Sequence, residues 1–516
     1  MAEPTPGHLL LLLGLFCTLV PASYSLKILG LFPHPGISHF RFFHPLMRGL
    51  AEKGHDVTVL SYFPDKNPPP GYKDLPLKGD LMDSLDVQFF ETQSFYNHFF
   101  ELYMLNYFGK HDCNATLHSE ALAQVLRERQ HYDVVILEQF NSDCMAAVAH
   151  QLNAPFIGMV SSVMLPWHYE RMGVPMVTSV MPTLYLGNSE DMTFGARLAN
   201  WFTHHAMRFL YDNFNTPAID AMVREKFGQN TPSVAELAKK TSMLFVNQHF
   251  SLSGVKPLPP SVLNLGGMHI QKAKPLVAKL KKFIDGAEHG VVFISWGSML
   301  RANTLPAAKR EAIVRAVKQL KQRVIWKWEN TTLEDKPDNL YVSKWLPQRD
   351  ILCHPNVKVF LSHGGLMGTT EATYCGVPVV VTPMFADQFL NSAALQYRGM
   401  GVEMKYHDIT ESRVLSSIRE VLKKEYLDNA KAISSAYKNR PQSPLETAIW
   451  WVEYVAKTKG APLIKAHAVH VSRFVYHSWD IYLFIAAIIF ITVVSWSFIC
   501  SRWCSRRPKA VKQKSN

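Results

Sequence analysis

Short apolar runs bounded by turn residues recur along this chain, and longer amphipathic stretches lie between them. Leu26 to Phe32 reads as a strand, followed by a Pro-Gly loop and a helix through Gly49-Leu50. Gly54-His55-Asp56 then turns into a second strand, Val57 to Tyr62. A strand–helix–strand unit of this length opens a doubly wound parallel sheet. Asp86 to Glu91, Val134 to Glu138, Phe156 to Val160 and Leu244 to Asn247 continue the pattern, predicting one α/β domain over 26–250. Ser251 to Pro260, with Gly254, Pro257, Pro259 and Pro260, reads as an inter-domain linker over 251–260. The alternation resumes with Val262 to Leu265, Val291 to Ser295, Val324 to Trp328, Leu340 to Val342, Val357 to Leu361 and Val379 to Thr382. These predict a second Rossmann-like domain over 261–446.

The two ends carry longer apolar runs. Leu9 to Val20 has the length of a signal-peptide core and is too short to span a bilayer; Ser23 and Ser25 suit a cut before Leu26, so 1–25 is expected to be a signal peptide. Ile481 to Cys500 is twenty residues without a charge, with Asp480 on one side and basic residues on the other. The expectation is an amphipathic membrane-proximal segment over 447–479, a transmembrane helix over 480–500 and a cytosolic basic tail over 501–516. Lys512 and Lys514 stand where a dilysine retrieval signal would, which points to the endoplasmic reticulum membrane, single-pass type I, with both domains luminal. The sequons at Asn114 and Asn330 would then be glycan acceptors.

Composition changes this picture little. At 516 residues the chain is long enough for two domains. Of the formal charge of +12, six positive charges sit in the last sixteen residues, which leaves 12 − 6 = +6 over the remainder and no nucleic-acid footprint. Of seven cysteines, only Cys113, Cys144, Cys353 and Cys375 fall in the expected luminal part. No Cys-x-x-Cys occurs among them, so neither a disulfide framework nor a zinc site is expected.

Candidate chemistry concentrates between Phe360 and Gln388. There Val357 to Leu361 reads as a strand, His363-Gly364-Gly365 as a tight turn, and Leu366 to Cys375 as a helix stopped by Gly376. A helix N-terminus beside a histidine is a seat for phosphate. The spacing fits neither the P-loop nor the dinucleotide fingerprint. Over its full length, with His363-Gly364-Gly365, Glu371, Gly376-Val377-Pro378 and Asp387-Gln388, the stretch resembles the signature of the UDP-glycosyltransferase family, with the flavour of its insect members.

That resemblance implies the GT-B architecture, in which two Rossmann-like domains face each other across a cleft, donor on the second and acceptor on the first. It implies roles for residues at the family's motif positions. Ser298 and His363 would meet the diphosphate with amides after Gly364 and Gly365. Trp345 would offer its face to uracil, with Gln348 beside the base or ribose. Glu371 would accept from the ribose, and Asp387 and Gln388 would read the sugar. Met367 replaces an asparagine common in vertebrate members. With no Asp-x-Asp in the chain, the resemblance implies no metal and no cofactor, the UDP-sugar being a co-substrate.

His39, in the loop after the first strand, stands where the family keeps its general base, and a neutral imidazole is matched to taking a proton from an acceptor hydroxyl. Its carboxylate partner stays open between Glu138 and Asp143, with Asp143 preferred. Nine aromatics between Phe89 and Phe108, including Phe95, Tyr96, Phe99, Phe100, Tyr103 and Tyr107, and the Met159 to Tyr185 stretch are candidates for an apolar acceptor pocket.

The function implied is inverting transfer of a hexose, glucose favoured, from a UDP-sugar to a hydroxyl of a small lipophilic acceptor such as a phenol, flavonoid or steroid, as in detoxification. Use of UDP-glucuronate, action on a membrane lipid of ceramide type, and a non-catalytic luminal binding protein are the alternatives. Homo-oligomerisation is left open.

Overall fold

The computed structural model describes residues 25–81, 84–92, 96–128, 130–330 and 332–505. The signal-peptide core, Phe95, the middle of the Asn330 sequon and the tail lysines lie outside them. Residues up to Lys465 form one compact unit and residues from Ala466 a second, smaller one.

In chain order the strands are β1 (Lys27–Leu31), β2 (Asp56–Ser61), β3 (Tyr72–Pro76), β4 (Leu85–Asp86), β5 (Val134–Glu138), β6 (Phe156–Val160), β7 (Met243–Val246), β8 (Val262–Asn264), β9 (Val291–Ser295), β10 (Leu300–Arg301), β11 (Arg323–Lys327), β12 (Leu340–Ser343), β13 (Val357–Ser362), β14 (Val379–Val381) and β15 (Gly401–Glu403). They assemble into a seven-stranded sheet of order β3-β2-β1-β5-β6-β7-β8 and a six-stranded sheet of order β12-β11-β9-β13-β14-β15, both parallel throughout. Each is doubly wound, and helices cover both faces, which is why strands such as β5 and β9 are buried at every position. The expected pair of Rossmann-like domains is present.

Three features depart from the sequence-based expectation. Asp86 to Glu91 is not a strand of the first sheet: Leu85–Asp86 pairs with Leu300–Arg301 of the second half, and Val87–Thr92 is a 3-10 turn. Val87 and Phe90 are buried in the core of the second sheet, so this apolar run is satisfied across the cleft. Val262–Asn264 pairs with β7 and closes the first sheet, so the proline-rich stretch 251–260 is a crossover within that sheet; the second sheet begins at Val291. Pro444–Lys457, part of the expected membrane-proximal segment, returns to the first domain. Its Ala448, Ile449, Val452 and Val455 share a core with Ile28, Phe43 and Leu46. Glu453 there meets Lys53 at 2.7 Å and His55 at 3.1 Å.

The expectation of no disulfides is overturned. Cys113 is bonded to Cys144 and Cys353 to Cys375, with Cα separations of 5.7 and 4.7 Å. Spacings of 31 and 22 residues carry no pairing information; the tertiary packing does. The first bond ties the helix Tyr96–Leu117 to the first residue of the helix Cys144–Gln151, and the second joins the end of the short helix Gln348–Leu352 to the end of Leu366–Cys375.

In the smaller unit, Trp479–Ser505 is a helix of 27 residues, long and apolar enough to cross a membrane.

Candidate functional site

A cavity of about 830 Å³ opens between the two sheets. The C-terminal ends of parallel strands face it, where folds of this kind bind ligands. His39, Ser298, Trp345, Gln348, His363, Gly365, Glu371, Asp387 and Gln388 all line it. Residues scattered over three hundred and fifty positions of sequence thus meet at one place.

The wall built by the second domain rests on the turn after β13. Gly364 has φ of +86°, a conformation that favours glycine, and the helix Leu366–Cys375 starts directly after Gly365 and stops at Gly376 in the left-handed conformation. The His363 ring is wedged between two glycines. A Cβ on Gly297 would lie 2.8 Å from its Cε1, and one on Gly365 would be closer still to Nε2. Desolvation, with Lys327 nearby, lowers the His363 pKa to about 4, so the ring is neutral, and its Nδ1 is buried without a hydrogen-bond partner among the described residues. Such an orphaned donor or acceptor is costly unless a ligand meets it.

Glu371 lies along the same helix, and its Oε2 accepts from Gln348 Nε2 at 2.7 Å. Desolvation raises its pKa to about 7, against the Gln348 hydrogen bond and the nearby Arg41. Trp345 is 59% exposed and lines the cleft. Arg41, from the first domain, stacks its guanidinium 5.1 Å from the centre of that ring, a contact that sequence reasoning missed. Arg41 lies two residues beyond His39 on the helix Ile37–Glu52, whose first turn carries His39, so His39 is not in the loop after β1 as expected from the sequence; nothing in the sequence says which side chain Arg41 will face.

Asp387 accepts from Asn391 Nδ2 at 3.0 Å, and burial raises its pKa to about 6. Gln388 Oε1 accepts from the amides of Met384 and Phe385 at 2.8 and 3.2 Å, which leaves its NH₂ group to donate to a ligand. Ala386 between them sits at φ of +54°, and its amide donates to Glu101 Oε2 of the first domain at 3.1 Å. A non-glycine residue in that conformation is a strained position of the kind that clusters at functional sites. Met367 lines the cavity with its sulfur 3.6 Å from Asn247 Nδ2.

On the opposite wall, His39 Nδ1 is 2.6 Å from Glu138 Oε1 at the end of β5. With Nδ1–H donating to the carboxylate, the Nε2 lone pair is presented to the cleft. Phe140 packs edge-on against the ring at 4.6 Å. Desolvation lowers the His39 pKa to about 4, with Asp112 opposing, and the same desolvation raises that of Glu138.

Asp143, the preferred partner in sequence, is excluded from that role. It forms a buried ion pair with Arg171, accepts from Tyr211 Oη at 2.6 Å and from Gln139 Nε2 at 3.3 Å. It sits at the start of the helix Cys144–Gln151, whereas Glu138, at the last position of β5, faces His39. The first-domain side of the cavity carries apolar side chains: Phe100, Met104, Phe108, Phe140 and Tyr185 line it. Tyr103 and Tyr107 are exposed instead. Both candidate stretches, around Phe100 and at the end of Met159 to Tyr185, therefore contribute. Asn114 is exposed on its helix and Asn330 lies in an exposed turn.

A family model described as "UDP-glucoronosyl and UDP-glucosyl transferase" matches residues 73–515. The chain is 37% identical to UDP-glycosyltransferase UGT5 of Dactylopius coccus over 92% of this chain and 91% of that one. It is 35% identical to UDP-glucosyltransferase 2 of the same insect over 96% of each. It is 30% identical to human UDP-glucuronosyltransferase 1A3 over 91% and 90%. Among solved structures it is similar in fold to the spinosyn forosaminyltransferase SpnP (TM-score 0.58, 17% identity, 84% of this chain and 99% of that one). The Polygonum tinctorium UDP-glucosyltransferase that glucosylates indoxyl is a second such neighbour (TM-score 0.55, 15% identity, 84% and 99%). These neighbours share the GT-B architecture, which is therefore the fold of this chain.

Proposed function

This chain belongs to the UDP-glucuronosyl and UDP-glucosyl transferase family, and from that premise we propose that it moves glucose from UDP-glucose to a hydroxyl of a small lipophilic acceptor, with inversion at the anomeric carbon. The observation that carries this reading is the pairing, across one cavity, of the His39–Glu138 dyad with the His363 turn. In the reaction the acceptor oxygen attacks the anomeric carbon as its proton passes to His39 Nε2. The bond to the diphosphate breaks, and UDP leaves with the electron pair. Glu138 holds the imidazole in its tautomer and stabilises the imidazolium.

Ser298, the His363 ring and the amides opening the helix Leu366–Cys375 meet the charge growing on the departing diphosphate, so the reading needs no metal ion. Trp345 stacks on uracil, Glu371 and Gln348 take the ribose, and Asp387 and Gln388 hold the sugar hydroxyls. The apolar wall from Phe100 to Tyr185 supports a lipophilic acceptor. Glucose is favoured over glucuronate because the most similar relatives reported above include an insect UDP-glucosyltransferase.

We place the cleft-bearing unit in the lumen of the endoplasmic reticulum, with glycans at Asn114 and Asn330 and the helix Trp479–Ser505 in the bilayer. Two disulfides in that unit support an oxidising compartment. The test is the anomeric configuration of the product by NMR, with UDP-glucose and UDP-glucuronate each offered to an array of phenols, flavonoids and steroids. A β-glucoside from the α-linked donor is expected. An α-glycoside would contradict the mechanism, and turnover with glucuronate alone would contradict the donor.

A further inference from the structure

Behind the His39–Glu138 dyad lies a second imidazole–carboxylate pair. His34, in the loop after β1, places Nδ1 2.8 Å from Asp112 Oδ2 on the helix Tyr96–Leu117. Both are buried, at 6% and 2% exposure. The His34 ring stands 4.5 Å from the His39 ring, centre to centre, at an interplanar angle of 42°. Gly36 allows this approach, because a Cβ there would lie 2.9 Å from His34 Nε2. His34 also reaches the wall of the main cavity.

The cluster is held from outside. Asp112 adjoins Cys113, whose disulfide to Cys144 fixes the helix bearing Asp112 against the start of the helix Cys144–Gln151. The titratable groups facing His39 are Glu138 at the end of β5, His34 of the loop after β1 and Asp112 of the helix Tyr96–Leu117; Arg41, on the helix Ile37–Glu52 with His39, is directed to Trp345. Asp112 is faced by His34, by His111 Nδ1 at 3.4 Å and by Tyr62. Among the described residues, neither Asp112 nor Glu138 pairs with a lysine or arginine. Two carboxylates thus surround two imidazoles.

We propose that His34 and Asp112 are positioning residues for the transfer step: the Asp112 carboxylate, held through His34 behind the His39 ring, stabilises the imidazolium that forms as the acceptor loses its proton. His34 donates Nδ1–H to Asp112, so its ring is held against the His39 ring and fixes where Nε2 points. The Asp112 charge raises the proton affinity of His39 against the burial that lowers it. This inference rests on the reading of His39 as the base, and the experiment separates the two.

The experiment measures steady-state kinetics of the full membrane-bound chain, with UDP binding and thermal unfolding recorded for each variant. Parent, His39→Ala, Asp112→Asn, Asp112→Glu and His34→Gln are compared using 4-nitrophenol and an aliphatic steroid alcohol. Asp112→Asn and His34→Gln are expected to lower kcat for the alcohol at least 10-fold, to leave the KM for UDP-sugar unchanged, and to affect the acidic phenol, which needs less help in losing its proton, much less. In Asp112→Asn the acid limb of kcat/KM moves to lower pH, because a lost negative charge lowers the His39 pKa. Asp112→Glu is expected to restore part of the alcohol rate. Equal losses for both acceptors with a shared fall in unfolding temperature would mean a structural role only, and parent-like kinetics in Asp112→Asn and His34→Gln would also overturn the proposal. If His39→Ala keeps parent turnover, the base reading fails instead.

Discussion

Glu138 and Asp143 are five positions apart and chemically alike, yet they do different work. Glu138→Gln keeps the shape of the dyad but removes the charge that stabilises a protonated His39. It is expected to lower kcat about 100-fold with UDP affinity unchanged, as steady-state kinetics will read. Asp143→Asn leaves the buried Arg171 without its partner carboxylate, and the cost of about 3–5 kcal/mol appears as a lower unfolding temperature. The His39 pKa of about 4 and the Glu138 pKa raised by burial to about 7 give the pH dependence its sign: the base is unprotonated above the first and its partner ionised above the second, so kcat/KM is expected to decline as pH falls through about 7 and to be lost towards pH 4. Gly297→Ala places a methyl group against His363 and forces a residue other than glycine into φ of +73°. UDP binding by calorimetry is expected to weaken about 10-fold, roughly 1.4 kcal/mol. The sequence made His39, His363 and Glu371 legible because each stands in a recognisable motif. It left the partner of His39 open, because a carboxylate at the end of a strand and one at the start of the next helix look alike until β5 sets which one faces the cleft.

Element by element, buried strands read most clearly. β1, β5, β6, β9 and β13 each carry a run of apolar residues, with polar ones such as Lys27, Glu138 and Ser295 only at the strand ends and Lys358 inside β13, and their runs match the folded strands to within a residue or two. β3 (Tyr72–Pro76) and β15 (Gly401–Glu403) went unread; the first is half polar and the second has three residues at a sheet edge. The run at Asp86 to Glu91 misled because apolarity reports burial without naming the surface that supplies it, here the second core by way of Val87 and Phe90. Disulfides were illegible for the same reason. Breaking either one with Cys113→Ser or Cys353→Ser is expected to destabilise the folded unit by roughly 2–4 kcal/mol, read as a fall in unfolding temperature relative to the parent.

At the scale of the whole molecule, two parallel sheets bring strand ends separated by most of the chain to one cavity, and the chemistry follows from what each contributes. The first sheet supplies a neutral imidazole held by a carboxylate beside an apolar wall; the second supplies a glycine-framed histidine with an unmet nitrogen at the start of a helix. Architecture and the residues of the second domain's cavity wall were legible in the sequence because they are written in contiguous segments. The first domain's apolar wall was legible only as aromatic excess, since its shape depends on separate elements meeting. The most direct test of the account is turnover of UDP-glucose with a phenolic acceptor by detergent-solubilised parent and His39→Ala, with UDP affinity measured in both. The account predicts that His39→Ala binds UDP as the parent does and loses at least 100-fold in kcat. Unchanged kcat in His39→Ala would contradict it.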